Sequence, residues 1–284
     1  MLLKPGLYIV STPIGNLDDI TIRALDVLKR STVILCEDTR VSQKLLLKHN
    51  ITQARLQVYN DHSDAKQRAL VCALIDNGEI VSLISDAGTP LISDPGYKLI
   101  RVLRDNGYHI DILPGVSAPI AALTISGLPS DRFLFIGFLP KTTIGQQKIF
   151  TELLEIKATI IFFESAKRIV QSLSAAKAVL GNREAAVARE LTKSYQDLRY
   201  GSLTQLIEHY QQYPEQLKGE IVLLVSGHAD EKESAATLEN LERVLKLYLT
   251  KGVTPKNATE LTHTQFKSFY SKREIYSLAN KIKQ

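Results

Sequence analysis

Short apolar, β-branched runs alternate with amphipathic stretches of helical period through residues 1–115, and that alternation limits the possible folds more than any other feature. Strands are predicted at Gly6–Ser11, Val33–Cys36, Leu56–Tyr59, Ile80–Ile84 and His109–Leu113, with helices near Ile20–Lys29, Val41–His49, Ala65–Asn77 and Tyr97–Asn106. Strands separated by single helices call for a mostly parallel sheet covered on both faces. In such a sheet ligands collect beyond the carboxyl ends of the strands. The expectation is an N-terminal α/β domain over residues 1–115.

The pattern then changes. A connecting helix fits Ala118–Ser126, and strands fit Phe133–Phe138, Ala158–Phe163, Ala185–Arg189 and Glu220–Val225, with helices at Gln146–Glu155, Ala166–Val179 and Leu203–Tyr210. No simple doubly wound order is forced, so a mixed sheet is expected over residues 116–228. His228–Thr237 reads as a polar linker, and residues 238–284 as a basic helical appendage. There Pro255 suits a first helical position, and Ser271 followed by Glu274 forms a capping box. Two short helices with a basic face resemble a helix-turn-helix unit, and a packing or dimerising appendage reads equally well.

The strand ends carry the polar, glycine-rich segments. Ser85–Gly96, SDAGTPLISDPG, sets two Asp, two Gly and two Pro just past the fourth strand. Plain strand-to-helix links are about 2–6 residues, so a loop of this length and composition marks a site. Glycine lets backbone approach a ligand, and Pro90 and Pro95 stiffen the loop. Thr12–Asn16 offers Pro13, Gly15 and an amide. Glu37–Arg40 joins two carboxylates to a guanidinium suited to phosphate or carboxylate, although Asp38 and Arg40 could equally pair and cap the next helix. Asn60-Asp61-His62 sets an imidazole beside a carboxylate.

Several classes are set aside. There is no G-x-G-x-x-G, no P-loop and no G-x-S-x-G elbow. Cys36 and Cys72 lie in apolar segments without metal-ligand spacing, which reads as buried thiols in a reducing cytoplasm and no metal site. The N-terminus, MLLKPGLYIV, lacks signal-peptide character, and no run reaches the ~20 apolar residues that span a bilayer. The formal charge of +5 is uneven: Leu245–Gln284 holds eight Lys and Arg against two Glu. A basic tail on a near-neutral body suits a polyanion such as RNA, or is a solvated surface without a partner. By residue chemistry alone the reading stops at a two-domain α/β enzyme with a small-molecule site between its domains.

An ordered set of strings takes it further: TPIGNLDDIT, EDTR, SDAGTPLISDPGY, LPGVSA, GLPSDRF, FFES, ARELTK and KGE. Together they resemble the ribosomal RNA small subunit methyltransferase I family of the tetrapyrrole-methylase-like superfamily, from about Gly6 to Val225 and more loosely in the tail. The resemblance implies two α/β domains of tetrapyrrole methylase type, with S-adenosyl-L-methionine in the cleft between them, and a homodimer. It implies 2′-O-methylation of a decoding-centre cytidine in 16S rRNA of the small ribosomal subunit. Carried over by motif, Pro13, Gly15, Asp86, Ala87, Gly88, Thr89, Pro90, Ser117 and Ala118 line the cofactor, and Glu164, Ala188, Leu191 and Gly219 close over it. The chain departs at Val116, where the family has proline, and at Ala166-Lys167, where it has Pro-His.

A ribose hydroxyl is a poor nucleophile until its proton has a destination. The candidates for that task, or for orienting the hydroxyl, are Lys193, Asp38 and then His62. Arg40, Lys256, Lys272 and Arg273 are the RNA-binding candidates. Tyr270 and Tyr276 could stack on bases, with helical-unit core as the favoured reading. Two rivals stand beside this: a small-molecule methyltransferase acting on a tetrapyrrole, against which the basic tail argues, and a non-catalytic nucleic-acid-binding factor.

Overall fold

The computed structural model describes residues 3–60, 63–228, 238–266 and 269–283. His62, one of the catalytic candidates, and nearly all of the linker segment lie outside the described residues. The first sheet contains β1 (Gly6–Val10), β2 (Val33–Cys36), β3 (Arg55–Val58), β4 (Ile80–Leu83) and β5 (Ile110–Leu113). Their order is β3-β2-β4-β1-β5, and every pairing is parallel. Four helices join them: α1 (Ile22–Arg30), α2 (Thr39–Lys48), α3 (Ala65–Asp76) and α4 (Tyr97–Asp105).

Period-two alternation explains the layering. Tyr8, Val10, Ile34 and Cys36 pack with Ala24, Val27 and Leu28 of α1 and Leu46 of α2. Leu7, Val33, Leu35, Val81 and Leu83 pack on the opposite face with Val71 and Ile75 of α3 and Leu99 and Leu103 of α4. All four residues of β2 are therefore buried, as a parallel strand covered on both sides requires. Helix starts follow their caps: Thr21 Oγ1 accepts from Ala24 N at 3.1 Å, and Asp64 Oδ1 from Gln67 N at 3.0 Å.

From α5 (Ala118–Ser126) the chain enters a second sheet of β6 (Phe133–Phe138), β7 (Thr159–Ser165), β8 (Glu184–Arg189), β9 (Asp197–Ser202) and β10 (Glu220–Val225). Its order is β6-β7-β10-β8-β9, parallel only between β6 and β7. The mixed sheet is thus as expected, but β9 was not. It is an edge strand, DLRYGS, with no fully buried residue, and so lacks the apolar run by which the others are read. Helices α6 (Thr143–Glu152), α7 (Ile169–Leu180) and α8 (Leu203–Gln212) cover one face. Phe150 of α6 and Phe162 of β7 are wholly buried there and meet edge to face, with centroids 5.5 Å apart. The other face meets α5 and Ile14, which bind this sheet to the loops of the first.

Residues 228–284 form a separate compact unit. Its helices are α9 (Leu238–Thr250), α10 (Pro255–Phe266) and α11 (Lys272–Lys283), around a core of Leu241, Leu245, Ala258, Phe266, Ile275 and Ala279. Three helices with their own core replace the two-helix picture. The Ser271–Glu274 capping box is present, with Ser271 N donating to Glu274 Oε2 at 2.7 Å and Glu274 N to Ser271 Oγ at 3.3 Å. Tyr270 packs on this core, whereas Tyr276 is 47% exposed and does not belong to it. No helix among the described residues is long and apolar enough to cross a membrane.

Candidate functional site

Strand β1 lies between β4 and β5, so the loops after these three strands emerge side by side. Thr12 and Gly88 exchange backbone hydrogen bonds at 2.8 and 3.0 Å. Thr12 Oγ1 donates to Ser85 O at 3.1 Å, while Thr89 Oγ1 donates to Val116 O and lies 3.1 Å from Ser11 Oγ. Gly88 has φ +83°, and Leu91 and Ser93 also hold positive φ, at 73° and 67°. Glycine adopts such a conformation freely, but for Leu91 and Ser93 it costs about 1–3 kcal/mol each and persists where surrounding contacts impose it, commonly at ligand sites. Valine at position 116 leaves this arrangement intact, since only its carbonyl is used.

Facing these loops, the second sheet contributes the ends of β7, β8 and β10. Between the two sets lies a cavity of about 460 Å³. Asp86, Ala87, Gly88, Thr89, Ser117, Ala118, Glu164, Ala188, Leu191 and Gly219 of the expected cofactor set line it. Pro13, Gly15 and Pro90 do not. Gly15 serves closure instead: a Cβ there would fall 2.5 Å from Lys193 Cγ and 2.9 Å from Leu191 O. Next to it, Asn16 N donates to Thr192 Oγ1 at 3.0 Å, tying the first loop to the segment after β8.

That segment is strained. Glu190 and Thr192 have φ of 49° and 64° on either side of Leu191, whose side chain is buried. Glu190 N donates to Glu220 O at 3.0 Å and Thr192 N to Gln196 Oε1 at 2.7 Å, which hold it there. Lys193 Nζ lies 3.0 Å from both Glu190 Oε1 and Glu220 Oε2. Burial by itself lowers its pKa, but the hydrogen bonds and charges of Glu220 and Glu190 outweigh that, and the ammonium titrates above the ordinary lysine value. Burial likewise opposes the charge of Glu190, yet the Glu220 amide and Lys193 win and hold its carboxyl below the usual glutamate range. Lys193 is thus a fixed cation, not a neutral amine.

Asp38 is occupied differently. It caps α2, Oδ1 accepting from Arg40 N at 2.8 Å, and its carboxylate pairs with the Arg40 guanidinium through Nε at 3.1 Å and Nη2 at 2.6 Å. The Arg40 side-chain hydrogen bonds are the largest cause holding Asp38 down, at about 2. Of the two readings of this pair, the cap-and-pair arrangement is the one adopted. Its neighbour Glu37 lines the cavity, and the Asp38 amide donates to Asp86 Oδ1 at 3.1 Å. In the helical unit Lys272 is paired with Glu260 at 2.7 Å, while Lys256 and Arg273 are exposed. Cys36 is buried, which pushes its thiol up and leaves it inert, and Cys72 is only half-buried. Sequence reasoning missed Glu37, Asp94, Ser165, Arg168 and Glu220 on the cavity wall. FFES and KGE held Ser165 and Glu220 without showing which side chains face inward, and Arg168 lies three positions beyond FFES.

The family described as Tetrapyrrole (Corrin/Porphyrin) Methylases matches residues 6–207 of the chain. Over its full length the chain is 56% identical to the ribosomal RNA small subunit methyltransferase I of Rickettsia prowazekii (strain Madrid E), covering 99% of that protein. The chain belongs to the ribosomal RNA small subunit methyltransferase I family of the tetrapyrrole methylases. The Escherichia coli O157:H7 member is 43% identical over 80% of this chain and 79% of its own. Diphthine synthase superposes with a TM-score of 0.59 at 14% identity, covering 78% of this chain and 91% of its own. The methyltransferase CobJ gives 0.58 at 20%, covering 79% and 95%. These two establish the shared fold.

Tetrapyrrole methylases take their methyl group from S-adenosyl-L-methionine, and this cavity fits it. Its volume falls in the range of about 300–1,000 Å³ typical of small-ligand sites. Asp86, Asp94, Glu37 and Glu220 supply anionic wall suited to a sulfonium and an ammonium, and Ile14, Ala118, Ala188 and Leu191 supply apolar wall.

Proposed function

We propose that this methyltransferase methylates the ribose 2′-oxygen of a decoding-centre cytidine, cytidine 1402 in RNA numbering, of 16S rRNA in the small ribosomal subunit. It acts in the cytoplasm as a homodimer. The observation that carries the reading is the 56% identity to a ribosomal RNA small subunit methyltransferase I along the entire chain, basic helical unit included. A tetrapyrrole acceptor would leave that unit, with its exposed Lys256 and Arg273, without a task.

The bound donor supplies an electrophilic methyl group. The chain's part is positioning, which can account for most of the acceleration in a displacement of this kind. The loops at Asp86–Thr89 and Ser117–Ala118, with Ala188, Leu191 and Gly219 across the cavity, would hold the donor. Lys193 cannot serve as base while Glu190 and Glu220 keep it protonated. Its role is electrostatic: an ammonium beside the cleft stabilises negative charge on the ribose oxygen as the hydroxyl proton is released to solvent. Asp38 positions α2 and Arg40, and Arg40 with the tail cations grips phosphate, so affinity falls steeply with salt. The exposed apolar side chains of Phe133 and Leu134 on the edge strand β6 support a self-association surface.

The test is transfer from labelled S-adenosyl-L-methionine to small subunits lacking the modification, with the methyl mapped to ribose or base. A 2′-O-methyl group on that one cytidine supports the proposal. Transfer to a base, or none despite donor binding, rejects it, and absence of donor binding would favour a non-catalytic factor.

A further inference from the structure

Glu164 stands among the residues the family resemblance assigns to the cofactor, yet its carboxylate is fully engaged by protein. Its side chain has no exposure. Oε1 accepts from Ser165 N at 2.6 Å and from Arg168 Nε at 2.9 Å, with Arg168 Nη2 on the same oxygen. Oε2 accepts from Ser172 Oγ at 2.5 Å and Gln146 Nε2 at 3.3 Å. Gln146, wholly buried, is itself anchored on Pro140 O at 3.0 Å. With these five donors committed, Glu164 has little capacity left for a ligand.

What this network fixes is Arg168. The residue closes a single 3₁₀ turn after β7, its side chain is 23% exposed, and it lines the cavity. Nε and one terminal nitrogen are spent on Glu164, while Nη1 makes no hydrogen bond among the described residues. Among the described residues, Arg168 is also the only cationic side chain on the cavity wall, against Glu37, Asp86, Asp94 and Glu220. A buried ion pair adds little stability over an apolar pair of the same volume, so fold stability alone does not call for one here. A planar fork held rigid by a buried carboxylate is what oxyanion recognition needs.

We propose that Arg168 is the oxyanion-binding residue of the cleft, positioned by Glu164. It receives either the carboxylate of the methyl donor or a phosphate next to the target ribose. The inference rests on the methyltransferase reading above and assigns Glu164 a positioning role in place of direct ligand contact.

The experiment compares full-length wild type with Arg168→Lys, which keeps a cation beside Glu164 but loses the fork, and with Arg168→Met. Calorimetric titration with S-adenosyl-L-methionine and with its decarboxylated analogue reads the first source. The KM for unmodified small subunits and its salt dependence read the second. A donor Kd weakened on the order of tenfold, with no loss for the decarboxylated analogue, identifies the donor carboxylate. An unchanged donor Kd with KM raised about as much and a shallower salt slope identifies phosphate. Donor Kd and KM both within twofold of wild type in folded Arg168→Lys overturn the proposal, whether or not Arg168→Met folds. Wild type that binds donor but modifies no subunit defeats the ribosomal reading separately, and the donor titration still decides whether Arg168 binds its carboxylate.

Discussion

Gly219 gives the sharpest test of how the second half of the cleft is held. It has φ +83°, and a Cβ placed on it would lie 2.2 Å from Glu190 Oε1 and 2.4 Å from Glu190 Cδ. In Gly219→Ala the backbone strain costs about 1–2 kcal/mol. The Glu190 backbone cannot yield easily, being tied to Glu220 O at 3.0 Å, so its carboxylate must swing away. It then loses the Glu220 amide at 2.9 Å and the Lys193 ammonium at 3.0 Å. Allowing for partial exposure, that is a further loss of about 1–2 kcal/mol. The control is Gly78→Ala, where φ is +85° and nothing lies within 4 Å of the added carbon. Gly219→Ala should therefore lose ~2–4 kcal/mol and Gly78→Ala only ~1–2 kcal/mol. At about 2–4 °C per kcal/mol for a body of this size, calorimetry resolves the difference. In Gly219→Ala/Glu190→Ala the second change should recover part of the loss, because the clashing carboxylate is gone. Equal destabilisation at Gly219 and Gly78, or strict additivity in the double variant, would refute the reasoning.

Lys193→Met should leave donor affinity within twofold while kcat falls on the order of a hundredfold, as for loss of one preorganised charge; equal loss of RNA binding and turnover would remove its catalytic role. Because the folded pKa of Lys193 is raised, its stabilising contribution is complete below the ordinary value of 10.5 and fades as pH rises through the folded value, so no activity loss near pH 7–9 should trace to it. Asp38→Asn should retain the cap and near-normal kcat, whereas Asp38→Ala should fray α2 and lower the melting temperature; a collapse of turnover in the folded Asn variant would restore the carboxylate as a catalytic group. The Asp38 contribution is present above the usual aspartate range and lost as pH falls through about 2, which an acid titration of helicity can follow. A chain ending at Gly227 should keep donor affinity and lose subunit affinity, judged by calorimetry and filter binding; equal loss of both would make the helical unit a folding partner.

Local chemistry made most of this molecule readable from its sequence. The parallel first sheet follows from β-branched runs spaced by helices, and the helix start at Lys272 from Ser271 and Glu274, because caps and period act within a few residues. The glycine-rich loop after β4 announced a site for the same reason: positive φ at Gly88 and Gly96 is a property of those residues. Strand β9 went unseen since an exposed edge carries no apolar signature. Position in the second sheet was equally hidden, because β10, the last strand in sequence, sits at its centre.

What only the tertiary structure decided is which side chains share a space. Glu190, Lys193, Gly219 and Glu220 meet through the antiparallel pairing of β8 with β10, and Asn16 reaches Thr192 across 176 positions of chain. Asp38 looked like a base by composition, and its geometry made it a cap. Lys193 could have been a neutral amine by type, and two carboxylates at 3.0 Å made it a cation. Residue type sets what a group can do in water; burial and partners brought by long-range packing set its charge and its task.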